Sequence, residues 1–354
     1  MMTPRENLLS SLRRQGYEKP PLDCGAFCPS QLEAFKQRFG HADYRTWFNA
    51  PHRFVSLRMD RQFADARALY PRETPPPDTD FDAWGVGHSH QADCHHMTRM
   101  HHPLAGDPTL DEIKHYPLPT IAAQAENEIL AQVASLHQQG LAVLGGMACT
   151  VWEIAWYLRS MEDLMADMMT DDERAHVHIS RVTDNAVQRI RACARAGCDL
   201  IQLGDDIGMQ HSIMMSLDLW RKWIKPQLAR IIAAGREIKP DLLIFYHSCG
   251  YVIPFLDDLI EAGVDVLNPV QPECMDFGEV HRLTGSRLSY WGSIGTQTTL
   301  PFGTPQEVKE AAWSRLRTCG KQGGIIVGPT HMVEPEVPWE NLVAMKEAVE
   351  EFKG

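Results

Sequence analysis

Apolar residues recur along this chain in two registers. Short β-type runs rich in Val, Ile, Leu and Tyr occupy positions 141–148, 199–204, 242–246, 264–268, 287–291 and 324–328. Between them lie longer stretches whose apolar positions return with the 3.6-residue period of an amphipathic helix. In 217–238, Trp220, Trp223, Ile224, Leu228, Ile231 and Ile232 share one face, with a kink expected at Pro226. Helix starts are readable too. Thr150-Val-Trp-Glu153, Thr170-Asp-Asp-Glu173 and Thr304-Pro-Gln-Glu307 have capping-box form, and Gly197, Gly263 and Gly320 stand where helices should stop. Upstream the pattern is weaker: a strand near 21–27, a helix over 30–39, and a proline- and acid-rich loop over 71–80 that forbids helix.

Strands that are apolar throughout, alternating with helices, predict a parallel sheet covered on both faces. Six clear units, with one or two weakly marked ones ahead of them, predict an α/β fold: a (β/α)8 TIM barrel, a single domain with an N-terminal extension. Residues 1–80 would hold that extension and the first barrel elements, and 81–354 the remainder. A doubly wound open sheet is the rival. It would usually show a glycine-rich phosphate turn, and no G-x-G-x-x-G occurs.

Composition sharpens the picture in three places. With 354 residues, 44% apolar and 23% charged, the chain can bury a large core. Its net charge of −12 repels polyphosphate, so a sequence-independent nucleic-acid binder is excluded. No run approaches the ~18 apolar residues of a membrane span, and the opening MMTPRENLLSSLRRQGY lacks the apolar stretch of a signal peptide. The expectation is a cytoplasmic protein with no membrane partner. Nine cysteines without disulfide spacing and sixteen histidines then raise the question of a metal.

In either architecture the site lies past the carboxyl ends of the strands. The residues there are Met147 and Cys149; Asp205 and Asp206; His247 and Cys249; Asn268 and Gln271; Trp291 and Ser293; Thr330 and His331. His247 and Cys249 are two apart, so at a strand end both point to one side. Imidazole plus thiolate suits zinc, and His331 is the obvious third ligand, leaving one open position. The alternative is a substrate-binding His beside a buried Cys. Asp205 and Asp206 are either a strand-to-helix cap or groups that orient substrate and carry protons. The segment 87–104, with six histidines and Cys94, is an independent metal site, a polar hairpin or an active-site flap.

Several motifs in fixed order resemble the uroporphyrinogen decarboxylase-like family. They are Leu203-Gly-Asp-Asp-Ile-Gly208, His247-Ser-Cys-Gly250, Asn268-Pro-Val-Gln-Pro272, Trp291-Gly-Ser-Ile-Gly-Thr-Gln297, Leu300-Pro-Phe-Gly-Thr-Pro305 and the run 324–340. Asp82-Ala-Trp-Gly85 and His102-Pro-Leu104 are further landmarks. The resemblance implies a (β/α)8 barrel and one of two chemistries: cofactor-free tetrapyrrole decarboxylation, or methyl transfer with zinc and a corrinoid. A substrate with eight carboxylates demands arginines. The decarboxylases carry an arginine-rich motif near their first strand, whereas 20–33 here contains no Arg. His247-x-Cys249 instead matches two zinc ligands of the corrinoid-linked methyltransferase branch. At the third ligand position that branch carries Cys, while this chain has His331, as the decarboxylases do. Gly295 stands where Asp is common, and Asp82 aligns with the decarboxylase catalytic Asp.

The leading expectation is therefore a zinc-dependent methyltransferase. It would move a methyl group between a small methylated substrate or thiol and a corrinoid (cobalamin) supplied by a partner protein. His247, Cys249 and His331 would hold the zinc. Asp205, Asp206 and His331 would act in catalysis, and Asp82, Trp84, Gln271 and Trp291 would contact substrate. Two alternatives stand beside it. One is a metal-free lyase acting on a smaller carboxylic acid, with Asp82 or Asp205 as acid/base and His331 on the substrate. The other is a non-catalytic partner of a corrinoid protein.

Overall fold

The computed structural model describes residues 1–90 and 98–353. Seven parallel strands form one curved sheet: β1 (His52–Val55), β2 (Ala142–Gly146), β3 (Leu200–Gly204), β4 (Leu243–His247), β5 (Val266–Asn268), β6 (Ser289–Trp291) and β7 (Ile325–Ile326). They pair in chain order, and helices connect the last six. All six strands expected from the apolar runs are present. The extended segment 21–27 takes the eighth position. Leu22 forms a parallel bridge with Val327, and the Asp23 amide donates to the Val327 carbonyl at 2.8 Å. On the other side of this segment the Asp23 carboxylate faces His52 of β1 at 3.6 Å. The ring is thus a (β/α)8 barrel, as the alternation predicts.

The period-two pattern of the strands separates two cores. Ala142, Leu144, Leu200, Phe245, Val266, Trp291 and Ile326 face inward and pack with Leu8, Leu9 and Leu12 of the helix Pro4–Leu12, which plugs the lower end. Their neighbours Val143, Ile201, Ile244, Tyr246, Leu267, Tyr290 and Ile325 face the helices. Each such side chain contributes about 1.5–3 kcal/mol by leaving water.

Local signals hold with two corrections. The Thr304 capping box is formed, and the 217–238 pattern is split at Ile224 into Leu217–Trp223 and Lys225–Arg236. The helix after 170, however, is capped by Asp172, because Asp171 takes the left-handed end of the preceding helix. Thr150 caps nothing: its hydroxyl donates to the Met147 carbonyl and accepts from the Gly204 amide.

The stretch 71–80 is irregular, with the Arg67 guanidinium holding the carbonyls of Pro75, Pro76 and Pro77. Beyond it, Gly87–His90 and Thr98–His101 form the expected hairpin, joined by Asp80–Phe81 into a small antiparallel sheet. Cys94, His95 and His96 lie outside the described residues. His101 contacts Glu73 at 2.8 Å and Ser89 at 2.9 Å, and His88 sits between Thr98 and Asp82. Among the described residues no helix is long and apolar enough to cross a membrane.

Candidate metal centre

β4 carries Leu243, Phe245 and His247 on its inward face, so the imidazole emerges at the upper rim of the barrel. Glycines shape the loops at this rim. A Cβ on Gly204 would lie 2.4 Å from the His247 carbonyl oxygen. One on Gly208 would lie 2.8 Å from the Cys249 carbonyl oxygen, and one on Gly250 would lie 2.7 Å from the Gly208 carbonyl carbon. The loops after β3 and β4 therefore meet backbone to backbone, with the Tyr251 amide donating to the Met209 carbonyl at 2.8 Å.

This packing turns Cys249 toward His247, with Sγ 3.6 Å from Nε2. His331, on the segment after β7, completes a group whose ligand atoms all lie within 4.8 Å of one another. A separation near 3.6 Å is the ligand–ligand edge of a zinc tetrahedron with bonds of about 2.0–2.3 Å. Asn268, ending β5, accepts from His247 Nδ1 at 2.6 Å and leaves Nε2 turned toward the thiol. Asp206 Oδ1 accepts from the Cys249 amide at 2.8 Å and lies 3.8 Å from His247 Nε2. Burial pushes the Cys249 thiol up, and the charges of Asp206 and Glu153 push it further. The donor set fits a divalent cation on its own chemistry: two imidazoles, one thiol, nearby negative charge and three protein ligands with room for a fourth.

Asp205 and Asp206 diverge in role. The Asp205 carboxylate is buried and accepts from the amides of Thr150, Val151 and Glu153 at 3.0 Å each, at the start of the helix Trp152–Arg159. That is the capping geometry. Burial pushes its carboxyl up to about 7 although these amide bonds pull the other way. Asp206, half-exposed, faces the cluster.

Gln271 accepts from the Gly250 amide at 3.0 Å and so braces the Cys249 loop. Trp291 lies in the barrel interior, its Nε1 donating to Asp23 at 2.8 Å. Asp82 and Trp84 sit on the turn that leads into the hairpin. Asp82 Oδ1 accepts from the Trp84 and Val86 amides in a tight turn and Oδ2 faces His88 at 3.4 Å. The Trp84 carbonyl accepts from the Tyr116 hydroxyl at 2.6 Å, and its ring lies 5.9 Å from the Arg189 guanidinium. These ties bind the pair to the hairpin and to the helix Glu173–Arg195.

Two features had no readable signal. Glu153, spaced like the last residue of a capping box, is instead a half-buried acid that accepts from the Tyr157 hydroxyl at 2.8 Å. Burial, with the charges of Asp205 and Asp206, raises it to about 8. The carboxylate that Gly295 lacks is supplied from elsewhere. A Cβ on Gly295 would lie 2.2 Å from Glu273 Oε1, which accepts from the Gln297 amide at 3.2 Å and the Thr298 hydroxyl at 2.8 Å.

Two cavities flank the cluster and share Thr330, His331 and Met332 as a wall. One, of about 360 Å³, is lined by Cys249 together with Gln210, Gln271 and Gln297. The other, of about 210 Å³, is lined by His247 with Asp23, Arg45, Phe245 and Trp291.

Comparison with known proteins adds lineage to this geometry. The model of the uroporphyrinogen decarboxylase (URO-D) family matches residues 96–352. A methylated-thiol–coenzyme M methyltransferase of Methanosarcina mazei is 28% identical over 204 residues, covering 56% of this chain and 50% of that protein. A uroporphyrinogen decarboxylase of Coxiella burnetii is 24% identical over 219 residues, covering 58% and 57%. The matched stretch thus spans about half the length of these curated relatives. A solved methyltransferase structure from Methanosarcina mazei superposes with a TM-score of 0.70 at 17% identity, covering 99% of both chains, which shows a common fold.

Proposed function

Because the chain belongs to the uroporphyrinogen decarboxylase (URO-D) family, whose named relatives include both methyltransferases and decarboxylases, we propose that its site chemistry decides between them in favour of zinc-dependent methyl transfer. The transfer would run between a small methylated substrate or thiol and a corrinoid carried by a partner protein. One observation carries this reading: His247, Cys249 and His331 bring two imidazoles and a thiol within 4.8 Å at the barrel mouth.

His247 Nε2, Cys249 Sγ and a ring nitrogen of His331 would hold zinc, which when bound keeps a thiol ligand in its nucleophilic, deprotonated form at neutral pH. The chain's own residues prepare that site. Asn268 fixes the His247 tautomer, Asp206 orients the Cys249 backbone, and Gln271 braces Gly250. Phe245 and Trp291 exclude water on one side of the cluster, while the neutral amides of Gln210, Gln271 and Gln297 line the other. Two cavities meeting at His331 give the two reactants separate approaches to one centre.

The decarboxylase reading is disfavoured by charge. Among the described residues lining the 210 Å³ cavity, Arg45 is the single arginine, where a tetrapyrrole with eight carboxylates would need several. Metal analysis of protein purified without added metal tests the proposal. The expected result is about one zinc per chain, lost in Cys249→Ala and His331→Ala together with methyl transfer from methylcobalamin to a thiol. Full activity in the metal-free protein would overturn it.

A further inference from the structure

The small antiparallel sheet beyond residue 80 carries a serine and a histidine joined in series to a glutamate of the preceding loop. Ser89 Oγ lies 2.9 Å from His101 Nε2, and the opposite ring nitrogen, Nδ1, lies 2.8 Å from Glu73 Oε1. A carboxylate accepts, so Nδ1 carries the proton and Nε2 turns its lone pair to the Ser89 hydroxyl. On the other side, Thr79 Oγ1 lies 2.9 Å from Ser89 Oγ. With the serine proton committed to His101, the threonine hydroxyl is the donor in that contact. The donors thus run in one direction, from Thr79 through Ser89 and His101 to Glu73.

Strand register puts these groups within reach of one another. Gly87 pairs with His101 and Ser89 with Arg99, so the imidazole extends along the sheet past Gly87 to a serine two residues on. That route exists because Gly87 has no side chain: a Cβ there would lie 3.1 Å from His101 Cβ and 2.9 Å from Thr79 Cγ2. The Tyr70 hydroxyl ties the two strands at the same place, accepting from the Gly87 amide at 2.8 Å and lying 2.9 Å from the His101 carbonyl oxygen. His101 is 2% exposed and Thr79 7%, whereas Ser89 is half-buried and Glu73 exposed. The base is shielded from water while its serine is reachable from solvent. A serine hydroxyl is a weak nucleophile until an adjacent base takes its proton and a third group orients that base.

We propose that Ser89, with His101 as its base and Glu73 behind the imidazole, is a second reactive centre that accepts acyl groups from short activated esters. Ser89 Oγ bonds to the ester carbonyl carbon as its proton passes to His101 Nε2. That proton then goes to the departing alkoxide as its C–O bond breaks, leaving an acyl-serine and an alcohol. Water repeats the two steps on the acyl-serine, giving the acid and the free hydroxyl. The Thr79 hydroxyl, 2.9 Å from Oγ, is a donor within reach of the oxygen that gains charge. The buried Thr79 and His101 flank Oγ, which restricts the acyl group to a short, unbranched one. This chemistry uses neither His247, Cys249 nor His331, so it stands apart from the methyl-transfer reading.

The test is labelling of the full chain with a fluorophosphonate, which bonds through phosphorus to an activated serine and releases fluoride. Peptide mass spectrometry should place an adduct on Ser89. Release of 4-nitrophenol from 4-nitrophenyl acetate should fall to background in Ser89→Ala. His101→Gln should slow labelling about 100-fold or more, the usual worth of a general base. Glu73→Gln, a change at an exposed position, should slow it at least about tenfold, because an amide can donate to Nδ1 and release the tautomer. Urea unfolding of Glu73→Gln should match the parent, so that slower labelling reports the orientation of the base rather than loss of the fold. No adduct on Ser89, ester hydrolysis that is undiminished in Ser89→Ala, or labelling at the parent rate in Glu73→Gln and His101→Gln would each overturn the proposal.

Discussion

Asn268 holds His247 from behind: its Oδ1 lies 2.6 Å from the imidazole Nδ1, while its Nδ2 donates to the Trp291 carbonyl at 2.6 Å. The second bond fixes the orientation of the amide, because a carbonyl can only accept. Oδ1 therefore faces the ring, Nδ1 carries the proton, and Nε2 keeps its lone pair on the side of Cys249. Three consecutive strand ends, β4, β5 and β6, are wired into one imidazole orientation.

Asn268→Ala should lower zinc affinity by about 10–100-fold, the usual loss when the partner behind a ligating histidine is removed. Competition with a chromophoric chelator measures this. An unchanged affinity would mean that Asn268 does not orient the ligand.

Asp205 should reveal itself as a cap rather than a proton carrier. Asp205→Ala strips the acceptor from the buried amides of Thr150 and Val151 and from that of Glu153. The expected loss is about 2–4 kcal/mol in urea unfolding, with zinc content retained. A variant as stable as the parent, yet inactive, would assign Asp205 to catalysis.

Gly208→Ala should damage both stability and metal binding. Its Cβ would meet backbone atoms, the Cys249 carbonyl oxygen and the Tyr251 amide at 2.8 Å each, and backbone at that site has no rotamer with which to yield. A cost of about 3 kcal/mol or more is expected, with weaker zinc binding because the Cys249 loop must move. Unfolding curves and zinc titration on the same sample report the two effects, and normal values for both would refute the close approach.

Stability should fall as pH falls between about 6.5 and 4. Burial depresses His52 and His178 to about 4, while the His52–Asp23 contact and the bond from His178 Nε2 to the Ala155 carbonyl only partly oppose it. In that window the unfolded chain binds protons that the folded chain refuses, so each histidine removes about 1.4 kcal/mol per pH unit. Above 6.5 both states leave these rings neutral and the dependence vanishes. In His178→Gln the slope of unfolding free energy against pH should drop by about one proton. An unaltered slope would show that His178 does not titrate on unfolding.

The barrel was legible because its rules are local. Period two in the strands, period 3.6 in the helices and the order of the units determine a parallel sheet with helices outside it. The same parity puts His247 on the inward face at the strand end, while the loop packing beyond it turns Cys249 to the same side. Local signals failed where a side chain found a better distant partner. Thr150 and Glu153 have the spacing of a capping box, yet Asp205, more than fifty positions away, supplies the cap.

The tertiary structure alone decided what depends on convergence between distant segments. His331 approaches His247 because β7 and β4 curve around one mouth, and no spacing in the sequence encodes that distance. Glu273 supplies a carboxylate where Gly295 leaves room, a substitution that only shape reveals. Trp84 meets Arg189 of a helix more than a hundred positions away, a contact that no local spacing encodes. Periodicity reports which face a residue presents to its own element, whereas a site is made by the faces of several elements brought together.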